Sequence, residues 1–165
     1  MTVNDLSVTL KNVQVIHNID LEFKQGSLTC LLGHSGAGKT TFIETILGVW
    51  QPSNGSICYK GNKINEKAGV LGGLLGYCSS HDSLYNDFTV YEYLCYIALL
   101  KGIKDPLKEI KMIISNCKIE EIINQKIILL SKVEKKKVSL TSCLIGSPTM
   151  VFLDEPCKGI ELENR

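Results

Sequence analysis

Hydrophobic and polar positions alternate over Leu6–Leu10 and again over Val13–Phe23, with Lys11-Asn12 parting the two runs. Alternating runs joined by turn residues predict a β-hairpin or meander. Gln25-Gly26 reads as a turn into Ser27–Leu32, a short apolar and partly β-branched stretch that predicts a buried strand. The period then changes. Within Lys39–Leu47 the apolar residues Phe42, Ile43, Ile46 and Leu47 recur at helical spacing, and Gly48 suits the C-cap. Gln51–Gly55 is a turn, Ser56–Tyr59 a short strand and Lys60-Gly61-Asn62 a second turn; Leu71–Cys78 is broken by glycine but ends as a strand.

From there the pattern is helical. Thr89-Val90-Tyr91-Glu92 has capping-box spacing and opens a helix to about Leu100, with Gly102 past its end. Asp105-Pro106 opens a second helix, aspartate being a good N-cap and proline a good first helical residue. Leu107, Ile110, Ile113, Ile114 and Cys117 follow one face of it. Ile119–Leu130 shows no clean period and reads as helix plus loop. Ser131-Lys132-Val133-Glu134 is a second capping box, opening a helix to about Ile145, and Met150–Leu153 is an apolar strand ending in Asp154-Glu155-Pro156. The expected class is α/β, with a helical block from roughly Tyr85 to Leu144 inserted before the chain returns to its sheet.

At 165 residues a single domain with a sizeable core is expected. The net charge of +1 gives no global attraction to nucleic acid or anionic membrane, so no nucleic-acid partner is expected. Seven cysteines, an odd number without C-x-x-C spacing and set among apolar residues, predict buried free thiols in a reducing compartment. No apolar leader opens the chain, and its longest apolar run, Leu94–Leu100, is too short to cross a bilayer.

The strongest chemical signal is Gly33-His34-Ser35-Gly36-Ala37-Gly38-Lys39-Thr40-Thr41, a glycine, four residues, then Gly-Lys-Thr, set between a predicted strand and a predicted helix. Glycines let the backbone turn tightly and bring its N–H groups close to an anion. The helix start beyond them favours phosphate through its unpaired amides and dipole. Lys39 can reach the β- and γ-phosphates, and the Thr40 hydroxyl can complete the shell of a Mg²⁺ ion. The second signal is the acidic end of the last strand. Side chains alternate along a strand, so Asp154 and Glu155 face different sides. Asp154 is the candidate metal-side carboxylate and Glu155 the candidate base for a water attacking the γ-phosphate.

Together these motifs resemble the nucleotide-binding domain of ATP-binding-cassette (ABC) transporters, most of all the A subfamily of lipid exporters. The resemblance is carried by Gly33–Thr41 with His34, the Gln51–Ile64 turn-strand-turn, Gly76-Tyr77-Cys78, Leu84, Thr89-Val90 with Glu92 and Leu94, and Leu144–Pro156. It implies a P-loop NTPase core sheet with an N-terminal antiparallel β-subdomain and an inserted helical subdomain. Residues 1–84 and 145–165 would be core plus β-subdomain and residues 85–144 the helical subdomain of one incomplete domain truncated at its C-terminus. It also implies ATP and Mg²⁺ as ligands, and head-to-tail pairing with a second such domain. The pair would drive attached transmembrane domains from the cytoplasmic face of a membrane.

The sequence departs from the family pattern at informative places. The position of the metal-touching Q-loop glutamine is Ser80, with His81 beside it. The signature Leu-Ser-Gly-Gly followed by Gln or Met reads Leu130-Ser131-Lys132-Val133-Glu134, so Ser131 keeps the signature serine while both glycines are lost. Val133 adds bulk, and Glu134 puts a negative charge where the partner's γ-phosphate would approach. Lys132, Lys135, Lys136 and Lys137 could offset some of that repulsion, but read first as a solvated basic helix face. The adenine-stacking position is Leu10, and the D-loop region Gly159–Glu163 reads Glu161-Leu162 for Asp-Pro. The expected function is a transport-coupled ATPase with an asymmetric pair of sites. The alternatives are an ATP-binding regulatory half that does not hydrolyse, and an ABC ATPase without a transport role.

Overall fold

The computed structural model describes residues 1–64, 73–81 and 83–158. The chain falls into two compact units, Met1–Leu71 and Gly72–Arg165.

In the first unit, β1 (Thr2–Leu10) and β2 (Val13–Glu22) form the predicted hairpin, in register from Leu10↔Val13 to Thr2↔Glu22. Its turn is Lys11-Asn12, both at positive φ (47° and 65°), the geometry whose twist matches that of paired strands. The helix α1 (Lys39–Ile46) follows. Then β3 (Asn54–Tyr59) pairs with β1, and the two-residue β4 (Asn62–Lys63) with β3, giving an antiparallel sheet of order β2-β1-β3-β4. Bulges interrupt the alternation, so Leu6, Ser7 and Val8 are all buried in succession. At the bulge Asp5 and Asn18 take positive φ, and Asp5 binds Asn18 Nδ2 and Asn54 Nδ2 through its carboxylate. Val3, Leu6, Val8 and Ile57 from the sheet and Phe42, Ile43 and Ile46 from α1 are the buried apolar residues of this unit, with Ile16.

The helix α1 closes on a Schellman motif: Gly48, at φ 81°, donates to Thr45 O (3.1 Å) and Val49 donates to Glu44 O (2.9 Å). Ser27–Leu32, by contrast, is not a strand. These residues carry no regular secondary structure, and Leu28 and Leu32 are 98% and 89% exposed. An apolar run becomes a strand only where a neighbouring backbone pairs with it. In this unit β1 to β4 pair antiparallel among themselves, and the stretch joins none of them.

In the second unit β5 (Leu75–Cys78) and β6 (Met150–Leu153) pair in parallel, Leu75↔Met150 to Cys78↔Leu153. Between them lie α2 (Val90–Leu100), α3 (Pro106–Cys117) and α4 (Lys132–Leu144). Both predicted capping boxes are formed, at Thr89/Glu92 and Ser131/Glu134, and Asp105 caps α3 by accepting from Lys108 N. The aperiodic Ile119–Leu130 becomes two 3₁₀ turns, Glu120–Ile122 and Ile127–Leu129. It is tied to the start of α2 by Val90 N–H to Gln125 O and Ile127 N–H to Phe88 O. Val90, Leu94 and Ala98 of α2, Ile110 and Ile113 of α3, Val138 of α4, and Ile119 and Ile127 form the core.

Two further expectations are corrected. Leu107 has the helical spacing of a core residue but is 67% exposed, because it sits in the first turn of α3, ahead of where Ile110 and Ile113 enter the core. The cysteines are all free, but only Cys78 and Cys143 are buried, while Cys30 and Cys157 are exposed. Burial pushes the Cys143 thiol up to about 12, which makes it inert as a nucleophile.

Candidate nucleotide site

The loop Gly33–Thr41 lies in the first unit, and Ser80, Ser131, Asp154 and Glu155 lie in the second. In the loop, Gly36 (φ 80°) and Gly38 (φ 85°) hold left-handed backbone that a side chain would strain. The two are glycine for different further reasons. A Cβ on Gly38 would meet Val15 O at 3.2 Å and Val15 Cγ1 at 3.3 Å, so the loop is pressed against β2 there. A Cβ on Gly36 would meet nothing within 4 Å, so at that point the main chain is open to an approaching ligand. Gly38 is also the N-cap of α1, and Phe42 N–H closes the first helical turn on Gly38 O at 2.8 Å.

The Lys39 ammonium donates to Gly33 O (2.8 Å) and His34 O (2.9 Å), and Ala37 N–H donates to His34 O (3.2 Å). The lysine is thus folded over its own loop, with its positive charge held beside the turn. The His34 ring binds Ser35 O through Nδ1 (2.8 Å). Ser35, Ala37 and Thr40 are exposed, Lys39 and Thr41 half-buried. Behind the loop, Thr45 Oγ1 donates to Thr41 O (2.7 Å) and the Phe42, Ile43 and Ile46 face anchors the helix.

The four helices differ at their N-termini in a way that bears on chemistry. Thr89, Asp105 and Ser131 cap α2, α3 and α4 through their side chains, each with a glutamate in the first turn. The cap of α1 makes no side-chain hydrogen bond, and its first turn holds no acidic residue. A helix start leaves amides without intrahelical acceptors and carries the positive end of the dipole. Among the described α-helices, only α1 presents that end without a carboxylate of its own.

The α4 start shows the opposite arrangement. Glu134 Oε2 accepts from Ser131 N–H (2.8 Å) and Ser131 Oγ (2.6 Å), and Glu134 N–H donates to Ser131 Oγ (3.3 Å). The Ser131 hydroxyl and backbone N–H hold the Glu134 carboxyl below its ordinary value, so it stays ionised. The Ser131 hydroxyl and amide are therefore already bound to a carboxylate.

At the end of β6 the burial alternates: Phe152 and Asp154 are buried, Leu153 and Glu155 exposed. Asp154 is only 3% exposed, and its N–H continues the β5–β6 ladder to Cys78 O (2.9 Å). Glu155 takes φ 46°, an uncommon conformation for a residue with a side chain. It begins a turn in which Lys158 N–H binds Glu155 O (3.0 Å) and Lys158 Nζ lies 2.9 Å from Glu155 Oε2. At the end of β5, Ser80 Oγ is 3.1 Å from His81 Nδ1, and His81 N–H donates to Ser79 Oγ (3.2 Å).

The structure departs from the expected solvated basic face at Lys136, which is buried, and Lys135 is half-buried. Lys132 and Lys137 are exposed, but Lys136 is 3% exposed, and its Nζ donates to Ser79 O (3.2 Å). Helical spacing from Val133 through Lys136 to Leu140 and Cys143 was the signal for this burial; residue type pointed the other way. The Lys158–Glu155 pair has an i,i+3 spacing that nothing else in the sequence singled out. The D-loop region Gly159–Glu163 lies outside the described residues.

A polyphosphate with a divalent cation fits the loop residues. The open main chain at Gly36, the uncapped α1 start and the Lys39 ammonium suit the anion. Among the described residues no group of three or more His, Cys, Asp or Glu side chains can hold a metal by itself. A hydroxyl oxygen such as that of Thr40 suits Mg²⁺, which takes one or two protein oxygens together with substrate phosphates and water.

A family model described as ABC transporter matches residues 16–158. The chain is 37% identical to ABC transporter G family member 20 of Dictyostelium discoideum, over 96% of this chain and 23% of that protein. It is 32% identical to the human phospholipid-transporting ATPase ABCA3, over 94% of this chain and 9% of that protein. The chain thus spans less than a quarter of the length of these two relatives. Among solved structures, a dimeric ATP-binding cassette in a post-hydrolysis state with ADP and Pi matches with a TM-score of 0.86 at 19% identity, over 99% of this chain and 77% of that one. The fold is that of the P-loop NTPases, with the antiparallel sheet and helices expected of it, and the chain belongs to the ABC transporter family.

Proposed function

We propose that this chain binds and hydrolyses ATP as the nucleotide-binding domain of an ABC transporter, paired with a second such domain and coupled to transmembrane domains. The observation that carries the reading is the α1 start: no side-chain cap, no acid in the first turn, an open glycine main chain and a lysine folded over it. Gly33, His34, Ser35, Gly36, Ala37, Gly38, Lys39, Thr40 and Thr41 cradle the phosphates. Thr40 and Asp154 serve the Mg²⁺ ion, with Ser80 in a lesser role. When bound, that ion draws charge from the phosphate oxygens. Glu155 accepts the proton of the attacking water, whose oxygen bonds to the γ-phosphorus as the bond to ADP breaks.

The pair is asymmetric in this reading. ATP held by this chain is hydrolysed against a partner's signature. ATP held by the partner meets Ser131, whose hydroxyl and amide are engaged by Glu134. No described helix is long and apolar enough to cross a membrane. The cytoplasmic face of a membrane is the proposed location, supported by membership of the ABC transporter family. Lipid is the proposed cargo class, supported by the resemblance to the A subfamily and by relatives whose names specify phospholipid or cholesterol transport.

Mixed with a signature-competent partner, the chain should hydrolyse ATP, and Glu155→Gln should abolish turnover while leaving ATP bound in equilibrium dialysis. Undiminished turnover in Glu155→Gln overturns the base assignment. A second reading, an ATP-binding regulatory half, is favoured by the self-capped α4 start and by Ser80. Binding without single-turnover hydrolysis in the presence of the partner selects it.

A further inference from the structure

The helix α4 packs against β5 in three steps that run in opposite chain directions. Nearest the far end, Gly76 lies so close to Cys143 that a Cβ would meet Cys143 O at 2.3 Å. One turn earlier in the helix, Ser139 Oγ lies 3.3 Å from Cys78 Sγ. One turn earlier again, Lys136 Nζ reaches Ser79 O at 3.2 Å. Positions 136, 139 and 143 share one helix face, and they meet 79, 78 and 76 in turn. The N-terminal end of α4, with Ser131, therefore lies toward the end of β5 that leads into Ser80.

The first two steps are made by small side chains and a glycine. The third is a lysine, 3% exposed, with its ammonium directed to a strand-end carbonyl. Burying an ammonium carries a desolvation penalty that an apolar side chain of the same length would avoid. Packing alone therefore does not account for a lysine here. Its carbonyl partner sits next to two groups of interest. Ser80 follows Ser79 directly, and Cys78 O accepts the N–H of Asp154.

We propose that Lys136 is a positioning residue that joins the N-terminal end of α4 to the strand end carrying Ser80 and Asp154. Force on the Ser131 end of α4, where the partner's nucleotide is met, moves a rigid helix. Lys136 passes that movement to Ser79, and the Cys78–Asp154 ladder bond passes it to the metal-side carboxylate. The proposal rests on the reading of Asp154 and Ser80 given above, and its test separates the two.

The test compares Lys136→Met, which keeps length and removes the charge, with Lys136→Arg, which restores a donor. Amide hydrogen exchange is measured on the nucleotide-free chain, and ATP turnover is measured with a signature-competent partner. Lys136→Met should speed exchange at Asp154 and across Ser79–His81 while the melting temperature holds. It should lower kcat by about ten-fold or more, with KM within about two-fold, as expected for loss of an outer-shell support. Lys136→Arg should return both readouts toward wild type. Unchanged exchange at Asp154 and Ser79–His81 in Lys136→Met overturns the link. So does a kcat within two-fold of wild type when Glu155→Gln is inactive. If Glu155→Gln keeps full turnover, the base reading fails on its own, and the exchange data alone decide on Lys136.

Discussion

Replacing Glu134 should push stability and chemistry in opposite directions. In the α4 capping box its carboxylate takes two donors, Ser131 N–H at 2.8 Å and Ser131 Oγ at 2.6 Å. Glu134→Ala removes both bonds and leaves the Ser131 hydroxyl free to cap the helix alone. The site lies at the protein surface, so water takes up the released donors, and the net loss is about 0.5–1 kcal/mol. For a chain of this size that lowers the melting temperature by about 1–4 °C. Glu134→Gln keeps an acceptor in the same place and loses only the charge, so its loss should be smaller. The carboxyl is held below its ordinary 4.5 by the Ser131 hydroxyl and then by the Ser131 amide. A lowered carboxylate stabilises the fold fully above its unfolded value, and that share is lost as pH falls through the lower folded value. The stability gap between wild type and Glu134→Gln should therefore be full at neutral pH and close on acidification below about pH 4.5.

The chemical effect has the other sign. Removing the charge frees a helix start for the partner's phosphate. Turnover is read in a pair where this chain also carries Lys39→Ala, so that only partner-held ATP reacts. Both Glu134 variants should raise that turnover, and Glu92→Gln, in the matching box of α2, should not. Should Glu134→Ala melt with wild type, the capping argument fails. Turnover unaltered in both Glu134 variants would refute the claim that the carboxylate obstructs the phosphate.

Three glycine and lysine changes test the rest of the site. Gly76→Ala should destabilise by more than about 2 kcal/mol in urea titration, because its Cβ would meet the Cys143 carbonyl at 2.3 Å and backbone has to shift. Gly36→Ala meets no neighbour within 4 Å, so it should cost only the backbone penalty of about 1–2 kcal/mol at φ 80°. It should nonetheless weaken ATP in equilibrium dialysis, since the new methyl lies on the open side of the loop. Lys39→Ala should leave the melting temperature nearly unchanged and weaken ATP about 10- to 100-fold, the worth of a hydrogen bond to a charged group.

The elements legible in the sequence are those whose cause is local. The boxes at Thr89 and Ser131, the Asp105 cap and the Lys11-Asn12 turn each need only a few consecutive residues, and all are formed. What the sequence hides is decided by distant partners. Ser27–Leu32 has the composition of a buried strand, but composition does not supply a neighbour, and the stretch stays exposed and irregular. The early start of β1 is set by pairing with distant strands, Thr2 with Glu22 of β2 and with Cys58 of β3, and at the bulge Asp5 holds Asn18 and Asn54, 13 and 49 positions away. Lys136 was hidden by its residue type, since a lysine in a run of lysines reads as solvent-facing until a carbonyl of another element is seen above it.

The site follows the same division, and one comparison ties it to function. A Ser-x-x-Glu box is easy to read because it satisfies a helix start from within, and for that reason it also closes the start to an outside anion. The box at Ser131 is thus a clear structural signal and, in the proposed reading, an obstruction to the partner's phosphate. The α1 start is the converse: no side chain completes it, and glycine provides its left-handed cap. Among the described α-helices α1 alone begins with neither a side-chain cap nor an acid in its first turn, and a lysine folded over open glycine backbone makes that start suited to a phosphate.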